Sequence, residues 1–169
     1  MPYIETLDHK TGNVIKYEVL EAELSQMQTA ATQCKPIMTR DALDNFIDNL
    51  KISIDLKALL HKLLDHAINL AGAVFAVGRK IVEMLVYFTR KFPHMAMGML
   101  IGAVLGAIFS SIPLLGWALG SVVMPILILL GAGIGLMQDI QDNNLKMTIS
   151  AATEQTFGSF RNFTIPTHN

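Results

Sequence analysis

The side chains able to do chemistry are few. His61 and Asp65 lie four residues apart, about one helical turn, and His66 follows. Two ligands on one helix face can begin a metal site, but a third convincing ligand is missing. The set therefore reads as a solvated polar face, with no metal expected. Ser110 and Ser111 have no base at a spacing that would activate a hydroxyl, and no GxxxxGKS phosphate loop occurs. Cys34 is the single cysteine, which excludes an intrachain disulfide and a cysteine-rich zinc centre. No cofactor is implied, and enzymatic activity is not expected.

What the chain lacks is more telling. Of its 169 residues 51% are apolar and 16% charged, with net charge −1 and mean hydropathy +0.42. A globular domain usually carries about a quarter charged residues. The deficit is local: from Phe92 to Gln138, 47 residues, no Lys, Arg, Asp or Glu occurs. Such a balance speaks against an ordinary soluble enzyme. It also lacks the broad basic face of a nucleic-acid binder, so no direct nucleic-acid binding is expected. Met1 to Asp8 is polar and acidic, unlike a secretory signal.

Four regions follow from the pattern. Residues 1–38 form an N-terminal segment whose apolar stretches around Gly12-Asn13 predict a β-hairpin over residues 2–24. Such a pair is marginal alone and must pack on something, a neighbouring copy included. Glu21 to Gln28 reads as the start of a short helix and residues 29–38 as a linker ending at Pro36. Residues 39–92 form an amphipathic helical region. Thr39 is a candidate N-cap, with Asp41 and Asp44 near the positive helix end, and Leu43, Phe46, Ile47, Leu50 and Ile54 keep helical spacing. A break near Gly72 or Gly78 divides this region into two helices, or one long helix runs through it. Arg79, Lys80 and Glu83 interrupt residues 67–89, as an amphipathic helix at a membrane surface or in a helical assembly would.

Residues 93–138 are the charge-poor window. A span needs roughly 20 apolar residues, so the window accommodates two, 95–112 and 114–137, joined at Ser110-Ser111-Ile112-Pro113. Arg79, Lys80, Arg90 and Lys91 flank the entrance and Trp117 suits the headgroup level; by the charge bias of the flanks both termini face the cytoplasm of a bacterial inner membrane. Gly98, Gly102 and Gly106 recur every fourth residue, as do Gly116 and Gly120, and Gly131 and Gly135. Small residues at that interval let helix backbones approach, predicting a homo-oligomer, with the packing of one hairpin's arms as the alternative. Pro125 is expected to kink the second arm. Residues 139–169 return to a polar tail in which Phe157, Phe160 and Phe163 are expected to dock it onto its own helices or a neighbour.

Two family resemblances attach to these residues. Arg161 and His168 resemble the R-x4–6-H motif of HEPN ribonucleases, with Pro166 inside the spacing, and that resemblance implies catalytic roles for the pair. The Gly/Ala-rich arms around Ile112-Pro113-Leu114-Leu115-Gly116 resemble the hydrophobic hairpin of pore-forming colicins, which bury it under amphipathic helices before insertion. The whole, a small helical protein with a divergent R-x4–6-H pair, is similar to the accessory membrane proteins of type VI-B CRISPR systems. That similarity implies an oligomeric pore in antiviral defence, answering to a regulatory protein or an RNA-guided effector.

The sequence thus predicts a mainly α integral membrane protein, with a two-helix transmembrane hairpin, long amphipathic helices and a small N-terminal β-hairpin. Its expected function is an oligomeric membrane pore or permeabilising effector with the lipid bilayer as partner; the alternative is a non-conducting membrane-anchored adaptor or scaffold.

Overall fold

The computed structural model describes residues 2–8, 11–130, 143–161 and 163. The predicted strand pair forms as β1 (Tyr3–Leu7) and β2 (Val14–Glu18), and it is half of a larger sheet. β3 (Ile68–Leu70) pairs with β1 and with β4 (Ala73–Phe75), giving the order β2-β1-β3-β4, antiparallel throughout. The β3–β4 turn places Ala71 at φ 55° and Gly72 at φ 101°. Two successive left-handed residues make the tight hairpin turn that matches strand twist, and Asn69 Oδ1 accepts from the Gly72 amide at 2.7 Å.

Seven helices complete the described residues: α1 (Glu21–Gln33), α2 (Arg40–Asp48), α3 (Ile54–Asp65), α4 (Val77–Lys91), α5 (Met97–Ser111), α6 (Pro113–Leu129) and α7 (Asn143–Phe157). A short 3₁₀ turn, Gly158–Phe160, follows α7. Thr39 caps α2 as its position predicts, accepting from the Ala42 amide at 3.2 Å, and Ser53 caps α3 in the same way. α1 continues through the stretch that reads as a linker because Met27 and Ala30 are buried, and it packs on β3 and β4. Residues 39–92 hold three helices rather than one or two: the chain breaks at residues 49–53 and again at 66–76, the β3–β4 hairpin, while Gly78 lies inside α4. The residues that read as a polar tail hold α7.

The transmembrane expectation is overturned. Among the described residues no helix is long and apolar enough to cross a membrane. α5 has 15 residues and α6 has 17, about 22 and 25 Å at 1.5 Å per residue, against a hydrocarbon core of about 30 Å. The second predicted span, 114–137, extends past Leu130 into residues outside the described set. The described helices contradict the expected transmembrane pore and integral inner-membrane location, and no observation supports the CRISPR and antiviral associations. The physical reason is that a helix apolar on all sides satisfies two environments, lipid and a protein core. Here it meets the second. Leu100 to Ile108 are buried without interruption, as are Leu114, Leu115, Leu119, Val122, Val123 and Ile126.

Candidate functional site

The unusual feature is the α5–α6 hairpin and the way it is covered. Pro113 starts α6 at its first turn, where a missing amide costs nothing. A Cβ on Gly116 would stand 2.9 Å from the Phe109 carbonyl oxygen, so glycine permits the close return of the chain. Gly98 and Gly120 face Leu130 and Phe109 within the same hairpin, Gly102 and Gly106 are buried, and Gly131 and Gly135 lie outside the described residues.

Other elements close over the arms. α3 packs on α6, and α4 and α7 pack on α5. From the sheet, Tyr17 meets Trp117 edge to face, with ring centroids 4.6 Å apart. Thr6 adds a polar tether: its hydroxyl hydrogen bonds His66 Nε2 at 2.9 Å and donates to the Ala118 carbonyl at 3.5 Å. This buried Thr6–His66 pair connects sheet, α3 and α6, and it corrects the reading of His66 as part of a solvated face. Its one available signal was the apolar Ala67-Ile68 that follows.

α7 is held by aromatic rings. Phe160 stacks on Phe75, centroids 5.0 Å apart and planes at 8°, while Phe157 and Phe163 complete the cluster. The spacing of these three phenylalanines did mark a docking element. Beside this anchor the cover is looser. Thr153 Oγ1 is buried with no hydrogen-bond partner among the described residues, next to a cavity lined by Ser110, Ser111, Glu154 and Arg161 at the hairpin turn.

No protein family, curated protein or solved structure matches the chain. Arg161 forms an ion pair with Glu154 on α7, and His168 lies outside the described residues. His61 sits between Asp44 and Asp48, at 3.0 and 2.8 Å, while Asp65 pairs with Arg40. These contacts fasten α2 to α3, and no metal-holding cluster occurs among the described residues. Of the residues read as membrane-flanking, Arg79 donates to the Met38 carbonyl and Lys80 pairs with Glu83 at 3.3 Å. Arg90 and Lys91 are exposed on the last turn of α4, and Lys91 Nζ stands 5.7 Å from the Tyr87 ring centre.

Cys34 joins α1 to α7, its thiol donating to the Thr156 carbonyl at 3.0 Å. Burial, the largest cause, pushes the thiol up to about 11, with Lys80 opposing and Glu83 adding to the shift. An unfolded chain loses this proton near its ordinary value of 9.0. Stability from this group is thus present below pH 9 and falls as pH rises toward 11. Alkaline unfolding followed by circular dichroism should show that loss, and Cys34→Ala should remove its thiol component. Iodoacetamide should label the folded protein slowly at neutral pH, since the thiolate is the nucleophile.

Proposed function

We propose that this protein is a permeabilising effector, which keeps a lipid-seeking hairpin folded away and releases it at a lipid surface. The observation that carries this reading is the composition of the hairpin's exposed positions. Met99, Ser110, Ser111, Ile128 and Leu129 all face solvent, and none is charged. Small domains have a high ratio of surface to volume, so helices in them normally carry charge on the outward face. Burial explains why the inward face is apolar. It does not explain an outward face without charge, which suits a second environment.

The cover has the form that such storage requires. α4 turns Val77, Ile81, Leu85 and Phe88 inward and Arg90 and Lys91 to solvent, so it stabilises the hairpin in water without depending on it for solvation. At the far end of α6, exposed Ile128 and Leu129 lie with Pro125 beside Leu59 of α3. That apolar patch offers the first contact with lipid. Both arms are shorter than the hydrocarbon core. The released hairpin is accordingly assigned to the boundary of headgroups and acyl chains, where amphipathic or apolar helices bind by buried area.

Dye release from phosphatidylcholine–phosphatidylglycerol vesicles tests the proposal. The wild-type chain should release the dye. Ser111→Asp alters an exposed turn position, where a substitution changes stability by about 0.5 kcal/mol or less. At the headgroup–acyl boundary the same carboxylate opposes burial of this end of the hairpin, by less than the roughly 2.5 kcal/mol of a charge at the bilayer centre, and release should slow about tenfold. Intact vesicles with the wild-type chain, or equal release by the two proteins, would overturn the reading.

A further inference from the structure

The outer edge of β2 carries a pattern with which no other strand among the described residues pairs. β2 ends the sheet, and among the described residues only β1 pairs with it. The Val19 amide donates to the Pro2 carbonyl and the Asp8 amide to the Asn13 carbonyl. These bonds set the alternation: Ile15, Tyr17 and Val19 direct their backbone groups to β1, while Val14, Lys16 and Glu18 direct theirs outward. The side chains of Val14, Lys16 and Glu18 all stand on the exposed sheet face, beside Leu7, Glu5 and Tyr3 of β1. Leu20, just beyond the strand, keeps an extended backbone.

We infer that two copies of this chain pair antiparallel along β2, about a two-fold axis at Tyr17, into one continuous sheet. Two registers satisfy the outward backbone groups near the strand centre. The first puts Lys16 opposite Lys16 and Val14 opposite Glu18, setting like charges and an apolar–carboxylate mismatch across the edge. The second puts Lys16 opposite Glu18, twice by symmetry, and Val14 opposite Leu20. Cross-strand pairs of opposite charge are stabilising and like charges directly opposite are destabilising, so the second register wins.

The neighbouring strands extend that choice. Lys16 Nζ already lies 3.6 Å from Glu5 Oε1, and Tyr3 Oη donates to Glu18 Oε1 at 2.9 Å. In the paired sheet Lys16 is placed between its own Glu5 and the second copy's Glu18, a row of alternating sign. The next row is Leu7, Val14 and the second copy's Leu20, which are 40%, 54% and 56% exposed in the single chain. One register therefore completes a charge row and covers an apolar one. Lys16 also blocks the competing register, as edge lysines do.

An edge contact of this kind is small, so association is expected at concentrations of about 10–100 µM rather than nanomolar. The pairing does not depend on the permeabilising activity and is tested without lipid, by sedimentation velocity. The wild-type chain should show a concentration-dependent dimer. Lys16→Glu or Glu18→Lys alone should weaken it about tenfold or more, by setting like charges opposite. Circular dichroism establishes that each variant is folded. An equimolar mixture of the two variants should recover association, since every cross-edge pair is then of opposite sign, and the K16E/E18K double variant, whose position 16 then faces Glu5 with like charge, should recover it in part. A monomer at about 100 µM, a dimer indifferent to both single reversals, or a mixture that fails to associate would each overturn the inference.

Discussion

Gly78→Ala is expected to be the most damaging small substitution in this protein. Gly78 lies in the first turn of α4, and a Cβ there would stand 1.7 Å from the Leu63 carbonyl oxygen and 2.9 Å from that of His66. The Gly78 amide also donates to the His66 carbonyl at 3.0 Å. α3 and α4 thus meet backbone against backbone, with no flexible side chain between them to yield. Overpacking a core costs about 1–3 kcal/mol where neighbours can repack; here a helix end must move, and about 3 kcal/mol or more is expected. At roughly 2–4 °C per kcal/mol for a chain of this size, the melting temperature should fall by about 6–12 °C or more. Gly106→Ala is the internal comparison. No atom lies within 4 Å of a Cβ at that position, and alanine is favoured over glycine in a helix by about 1 kcal/mol. That variant should melt at the wild-type temperature or slightly above it. A thermal melt of the two proteins by circular dichroism decides the matter, and a destabilised Gly106→Ala would return this glycine to a close-packing role.

The two glycines also show what the sequence can and cannot reveal. Gly98, Gly102 and Gly106 share a spacing that signals close helix approach, whereas Gly78 carries no such mark. Its necessity comes from a tertiary contact between α3 and α4, which spacing along one helix does not encode. The same distinction runs through the fold. Local signals were legible: the Thr39 cap, the Gly12 turn, the return at Ile112-Pro113 and the recurrence of Phe157, Phe160 and Phe163. β3 and β4 were hidden, because three-residue strands flanked by alanines give too few positions for a period-two pattern. The burial of His66 was hidden as well, since it depends on Thr6, 60 residues away. Above all, residues 97–129 of the charge-free window form the expected pair of helices but in other surroundings. Apolar residues on every side specify that water is excluded. They do not specify whether lipid or α3, α4 and α7 exclude it, and that choice was made by residues outside the window.

Phe160→Ala should lower stability and raise permeabilising activity together, and by more than a core truncation of equal thermal cost outside the cover. Phe160 is buried against Phe75 and Phe163 and holds the end of α7, and α7 in turn covers α5. Truncating a buried phenylalanine costs about 3–5 kcal/mol. If only part of that loss falls on local opening of α7, about 1.4–2.8 kcal/mol, the open population rises tenfold to a hundredfold, and dye release should accelerate by a similar factor. Thr153→Val should act in the opposite direction. It replaces a buried hydroxyl that has no partner among the described residues with a methyl of similar size, recovers up to about 1 kcal/mol, and should slow release while raising the melting temperature. Leu43→Ala separates opening of the cover from general loss of stability. Leu43 is fully buried in α2, which packs chiefly on α3 and α4 rather than on the arms of the hairpin. At equal loss of melting temperature Leu43→Ala should accelerate release less than Phe160→Ala does. Equal acceleration would mean that global unfolding delivers the hairpin and that α7 is no specific cover. Loss of stability with no gain in release in Phe160→Ala would remove the link between the folded cover and the permeabilising reading.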